Sequence, residues 1–203
     1  MAPYVQTTAA CLLLCMLGGC GAVSAVSKAS ETLDAYTLAP LAGTGSQGEA
    51  HLVVEVPVAS GGINTDRILA QPSPLQVQYL PEVRWVEPAP VMMQTLLVTS
   101  LQNGGSYRLV GRDDAGLDPD YALVSDLVAF QFEGGPAGVS MRVHVGIIAT
   151  LIRVDDRRII STRRFDQIVP LAADDTASII AAFNAATSQV LAGVVGWAGS
   201  RGG

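Results

Sequence analysis

After residue 20 the chain contains no cysteine; Cys11, Cys15 and Cys20 are its only three. The body of the protein therefore has neither a disulfide framework nor a thiolate metal site. Lysine is nearly missing as well, with Lys28 the single one, and the formal net charge is -6. Nucleic acid is not an expected partner, because its phosphates demand a basic patch. Only two histidines are present, His51 and His144, and neither has a carboxylate or cysteine beside it at ligand spacing. No metal site is expected on that ground. There is no Gly-x-Ser-x-Gly, no phosphate-binding glycine loop and no recognisable carboxylate-pair motif. Gly104-Gly105 and Gly134-Gly135 read as turn glycines, since no strand-loop-helix with a lysine surrounds them. These absences point away from an enzyme and from any cofactor, while leaving open catalysis by residues scattered along the chain.

What stands at the start is a short apolar run, residues 9–17, closed by Gly18-Gly19-Cys20. It is too short to span a bilayer, which takes ~20 apolar residues. Leu17-Gly18-Gly19-Cys20 reads as a lipobox, with cleavage between Gly19 and Cys20 and small residues giving a signal peptidase access to that bond. The Cys20 thiol would then carry a diacylglyceryl group and the new N-terminus a further acyl chain such as palmitate. Two or three chains suffice for stable attachment where one does not. Residues 1–8 hold no Lys or Arg, although a signal n-region is normally positive, so the signal is atypical or the start codon lies elsewhere. The competing reading is an ordinary cleaved signal with an incidental cysteine. Gly21 follows Cys20 in place of the aspartate that retains lipoproteins at the inner membrane of enteric bacteria. The expected location is accordingly the periplasmic leaflet of the outer membrane.

The expected organisation is a signal peptide over 1–19, a lipidated tether over 20–35 and one domain over 36–200. Leu52, Val54, Val56 and Val58 alternate as one face of a strand, and a second short strand covers residues 76–80, closed by Pro81. Pro88-Ala89-Pro90 starts a helix whose apolar face is Met92, Met93, Leu96, Leu97 and Leu101 and which Asn103-Gly104-Gly105 ends. Residues 107–110 and 121–132 read as strands, and the alternation Val139, Met141, Val143, Val145, Ile147, Ala149, Leu151 is the clearest strand signal. Residues 159–169 complete a meander. Asp174 is placed to cap a last helix with Ile179, Phe183, Ala186, Val190, Val194 and Trp197 on one face. The pattern predicts an α+β domain, an antiparallel-rich mixed sheet with two main helices packed on it. Arg153, Arg157, Arg158, Arg163 and Arg164 crowd the last strands; a solvated hairpin balanced by Asp155, Asp156 and Asp166 outweighs an anion site.

One dense cluster, residues 79–88, sets Tyr79, Arg84, Trp85 and Glu87 on a stretch framed by Pro81 and Pro88. Trp, Tyr and Arg dominate interface hot spots, so a partner-binding loop is one reading. On residue type alone the structural reading is favoured, with Trp85 plugging the edge of the core and Arg84 pairing with an acid.

Thr65-Asp66-Arg67-Ile68, Tyr79 and Arg84-Trp85-Val86-Glu87-Pro88-Ala89-Pro90 leading into a helix resemble the ABC-type transport auxiliary lipoprotein family, which includes paraquat-inducible protein C-like lipoproteins. Tyr36-Thr37-Leu38, the Tyr121 strand, Phe165 and the Ala-Phe-Asn-Ala-Ala helix ending at Trp197 extend the resemblance over nearly all of the mature chain. It implies a non-catalytic lipoprotein that accompanies an ABC permease and ATPase and an MCE-domain protein. Such systems move phospholipids or other hydrophobic molecules across the periplasm, and in some members the lipoprotein forms a homo-oligomeric ring. The family's characteristic element maps onto Arg84, Trp85, Glu87 and Pro88. Two other classes stay open: a periplasmic lipid carrier, and a structural or regulatory envelope lipoprotein with no transporter.

Overall fold

The computed structural model describes residues 33–45, 48–113, 116, 118–134 and 141–202. The signal peptide, the cleavage and lipidation positions Gly19 and Cys20, most of the tether, and Val139 at the head of the predicted alternation lie outside the described residues. In chain order the elements are β1 (Asp34–Tyr36), β2 (His51–Val54), β3 (Val58–Ala59), β4 (Arg67–Ser73), β5 (Gln76–Trp85), α1 (Ala89–Gly104), β6 (Leu109–Arg112), β7 (Tyr121–Glu133), β8 (Arg142–Arg153), β9 (Arg158–Pro170) and α2 (Thr176–Gly202).

β7 is the spine of an α+β fold. One of its edges pairs antiparallel with β8, which pairs antiparallel with β9, giving the predicted meander. The other edge takes three short strands in succession, all parallel to it: β2 beside Tyr121, β3 beside Asp126 and β4 beside Gln131. From there the nine-stranded sheet forks, β2 leading to β6 and β4 leading to β5 and β1. Alternation fixes the inward face of β8, where Val143, Val145, Ile147, Ala149 and Leu151 are fully buried. In β7 the parity changes partway: Leu123 and Leu127 face inward, then Phe130 and Phe132. A bulge between Leu127 and Ala129 inserts one residue and turns the rest of the strand over.

Both helices close over that inward face, and one contiguous core joins sheet and helices. Pro90 is tolerated in the first turn of α1, whose N–H groups need no intrahelical partner, and Gly105 ends the helix in the left-handed conformation at φ 72°. Met92, Met93, Leu96, Leu97 and Leu101 are buried as the periodicity predicts. α2 is long and apolar enough to cross a membrane, but it lays Ile179, Phe183, Val190, Val194 and Trp197 into the core. Its cap is Asp175, one residue beyond the predicted Asp174: the Asp175 carboxylate accepts the Ser178 N–H at 2.8 Å.

Four other strand expectations are corrected. The first alternation breaks after Val54, and Val56 and Val58 are exposed because only two residues, Val58 and Ala59, rejoin β7. β5 runs through Pro81, which falls where the β4 register jumps from Leu69↔Tyr79 to Arg67↔Arg84, so the missing N–H breaks no ladder bond there. Tyr107 precedes β6 and is buried, its hydroxyl donating to the Ala198 carbonyl at 2.9 Å, and burial pushes that phenol's pKa up. β4, absent from the sequence reading, is short and carries Pro72, which obscures it.

Candidate functional site

The residues singled out by the sequence form a junction between four parts of the fold. Trp85 is 1% exposed and meets Phe130 and Phe183 at ring-centroid distances of 5.5 and 5.1 Å, the latter edge-on. Around it the backbone is tied three ways: Trp85 N–H to Asp66 O at 2.7 Å, Val86 N–H to Tyr36 O at 2.9 Å and Ala89 N–H to Thr65 O at 3.0 Å. Arg84 pairs with Asp66 at 3.3 Å, both side chains partly in solvent. Pro88 precedes the first residue of α1. Glu87 Oε1 lies 3.5 Å from Thr95 Oγ1, which accepts a 2.7 Å hydrogen bond from Arg112 Nη2. The Arg-Trp-x-Glu-Pro element thus joins the Thr65–Asp66 turn, β1, β5 and α1. Tyr79 stands apart from it at the hairpin foot, half exposed, with the Arg67 guanidinium 5.8 Å over its ring and its hydroxyl 3.4 Å from Gly62 O. Among the five residues the surface-accessible groups are Tyr79, Arg84, Glu87 and Pro88, while the Trp85 ring is core.

The sheet face away from the helices carries a polar cluster that residue spacing does not reveal. His144 Nδ1 lies 3.1 Å from Glu133 and Nε2 lies 3.1 Å from Asp166. Arg142 donates to Glu133 at 2.8 Å, and Arg164 grips Asp166 through two nitrogens. Burial works against ionisation of Glu133, but hydrogen bonds from Arg142, Gln131 and His144 hold its carboxyl below the ordinary range. Asp166 is also lowered, chiefly by the Arg164 hydrogen bond. The carboxylates come from β7 and β9, on either side of β8, so only strand pairing brings them to the histidine. Among the described residues no group of three or more His, Cys, Asp or Glu is arranged to hold a metal. At the arginine-rich hairpin, Arg153 lies 3.9 Å from Asp156 and Arg163 stacks 5.2 Å over Phe165.

Beside α2 lies an open cleft of about 640 Å³, lined by Tyr36, Leu38, Ala39, Ala177, Ile180 and Ala181 among others. Its walls are mostly apolar, and its size falls within the ~300–1,000 Å³ of small-molecule sites.

The fold and these sites define an open-sheet α+β domain whose singled-out motif locks strands to a helix. The chain belongs to the ABC-type transport auxiliary lipoprotein component family, whose model matches residues 36–195. Protein XCC0632 from Xanthomonas campestris, assigned to the family DUF330, is similar at 28% identity and a TM-score of 0.72, over 82% of this chain and 94% of that one. A second solved structure, described only as an uncharacterized protein, is 16% identical with a TM-score of 0.64, covering 83% of this chain and 99% of that one, and shares the fold. No curated protein matches the chain.

Proposed function

We propose that this protein is a non-catalytic lipoprotein of an ABC transport system of the MCE type, anchored through Cys20 at the periplasmic face of the outer membrane. There it acts as adaptor for the MCE-domain protein while phospholipid or another hydrophobic molecule crosses the periplasm. The observation that carries this reading is the family match, which runs from the last residue of β1 into α2 and so takes in β2 to β9 entire. Tethering confines the adaptor to the membrane and raises its effective concentration for a partner held there. Contact through the family element would use Tyr79, Arg84, Glu87 and Pro88, with Trp85 setting their backbone.

Affinity purification of the tagged full-length protein from detergent-solubilised membranes tests the assignment. Co-purification of an MCE-domain protein with its permease and ATPase is the expected result, and other envelope proteins with no transporter would overturn it. Cys20→Ala is expected to release the protein from membranes, read by fractionation in cells lacking the transport partners. The apolar cleft beside α2 favours a second reading, a lipid carrier. Stoichiometric lipid extracted from protein purified without any transporter would establish it.

A further inference from the structure

From residue 68 to residue 81 the chain carries no charged side chain. This stretch is the β4–β5 hairpin, and its tip is uncharged and open: Leu75 is 102% exposed and Val77 62%, with the exposed polar side chains of Ser73, Gln76 and Gln78 beside them. Pro72 and Pro74 stiffen the tip and withhold two N–H groups from the solvent-facing backbone. The first charges below it are Arg67 on one strand and Glu82 on the other, and Tyr79 stands between them and the tip. On the neighbouring strands the nearest charges, Glu133 and Arg142, are paired with each other at 2.8 Å. Exposed apolar side chains on an uncharged tip, then a tyrosine, then charge is the order in which a surface element enters a lipid headgroup layer.

Strand direction supplies an independent observation. β1 runs parallel to β5, with Asp34 opposite Val83 and Tyr36 opposite Trp85, so the chain enters the fold from the hairpin side of that pairing. Thirteen residues lie between Cys20 and Asp34, a reach of at most about 50 Å at full extension. The covalent lead to the anchor thus joins the domain on the side toward which the uncharged tip points. A chain of net charge -6 is repelled by anionic headgroups, and the hairpin is a part of its surface that brings no charge to them.

We propose that the hairpin of residues 71–79 is a membrane-contacting element, with Leu75 and Val77 seated at the headgroup–acyl boundary of the leaflet that receives the lipidated Cys20. The proposal rests on the anchoring stated above and fixes how the domain faces its membrane. Apolar side chains of interfacial elements sit about 5–10 Å into that boundary, within reach of two exposed positions two residues apart at the turn and the start of β5. The anchor supplies the affinity and the hairpin the orientation.

The absence of cysteine after Cys20 makes the test direct. Full-length lipidated protein carrying L75C, V77C or, as a control, I159C is labelled with a polarity-sensitive thiol dye and reconstituted into phosphatidylethanolamine–phosphatidylglycerol vesicles. Ile159 is likewise 62% exposed but lies at the far end of the meander, next to the β8–β9 turn. Flotation of the wild-type protein is scored first. The expected result is blue-shifted emission and several-fold stronger quenching by spin-labelled lipid chains at positions 75 and 77 than at 159. Flotation with a water-exposed dye at 75 and 77 overturns the hairpin assignment and leaves the anchor standing. Failure to float overturns the anchor and this orientation with it. A shielded dye that lipid-borne quenchers do not reach assigns the tip to a protein partner and also overturns the proposal; V77C stands in should L75C fail to fold.

Discussion

At one end of β5, Trp85 is 1% exposed and wedged against Phe130 and Phe183; at the other, Val77 is 62% exposed and Leu75, in the turn just before the strand, stands wholly in solvent. The two ends belong to one strand but meet opposite surroundings. The Trp85 end is tied by backbone hydrogen bonds to the Thr65–Asp66 turn, β1 and α1, so its side chains answer to the fold. The Leu75 end has β4 as its partner and, among the described residues, no covering layer, so its composition answers to something outside the fold. Leu75 and Val77, at the tip of a stretch with no charge over fourteen residues, contribute nothing to the core, and their exposure calls for an external contact. The comparison also separates the singled-out cluster into parts: Tyr79 belongs with the hairpin, and Arg84 to Pro88 with the junction.

The largest effect is expected at the buried end. Trp85→Ala removes a core aromatic that no neighbouring side chain can replace, and such truncations cost about 3–5 kcal/mol. Loss of the edge-on contact with Phe183 is part of that cost. The urea midpoint should fall steeply with the slope unchanged. A loss under about 1 kcal/mol would place Trp85 outside the supporting core and dissolve the contrast between the two ends.

A middle case lies on the uncovered sheet face. Glu133 is held below the usual carboxylate range in the folded state, so its contribution is present above the unfolded pKa of about 4.3 and disappears as pH falls through the lower folded value. Glu133→Gln should remove about 1 kcal/mol or less at neutral pH, since its partners Arg142 and His144 remain partly solvated. The variant should also lose less stability than the parent on acidification, with Asp166 supplying the slope that remains. Urea titrations at pH 7 and near pH 3 check both statements, and an unchanged acid slope would remove Glu133 from the account.

Local patterns carried much of this architecture. The alternation through Val143 to Leu151 locates β8, and the 3.6-residue spacing of Met92 to Leu101 and of Ile179 to Trp197 locates both helices. What depends on pairing was not legible. The Leu127–Ala129 bulge exchanges the faces of β7 without a local residue signature, and three parallel strands share one edge of β7 only because chain segments distant in sequence return to it. The same limit hid the Glu133–His144–Asp166 cluster, whose members sit on three different strands. For the singled-out motif, residue type favoured a buried Trp85 and a paired Arg84, and both are found. Of the hairpin only residues 76–80 were legible as a strand, because Pro72, Pro74 and Pro81 break the strand pattern over the same residues that lack charge.

The smallest effect on folding is expected at the exposed end, and it is the most discriminating. Leu75 touches no core residue, so Leu75→Asp should leave the folding free energy within about 0.5 kcal/mol of the parent. The same change puts a carboxylate at the centre of the uncharged tip, where an anionic leaflet repels it and the headgroup boundary desolvates it. In vesicles the protein should still float through its anchor while a dye at position 77 returns to water-like emission. A substitution that leaves the fold intact yet turns the domain away from its membrane would show that the two ends of β5 are under separate constraints. If L75D instead lowers the urea midpoint as Trp85→Ala does, the tip is packed against the protein itself, and the exposure from which the contrast was drawn does not describe the molecule in solution.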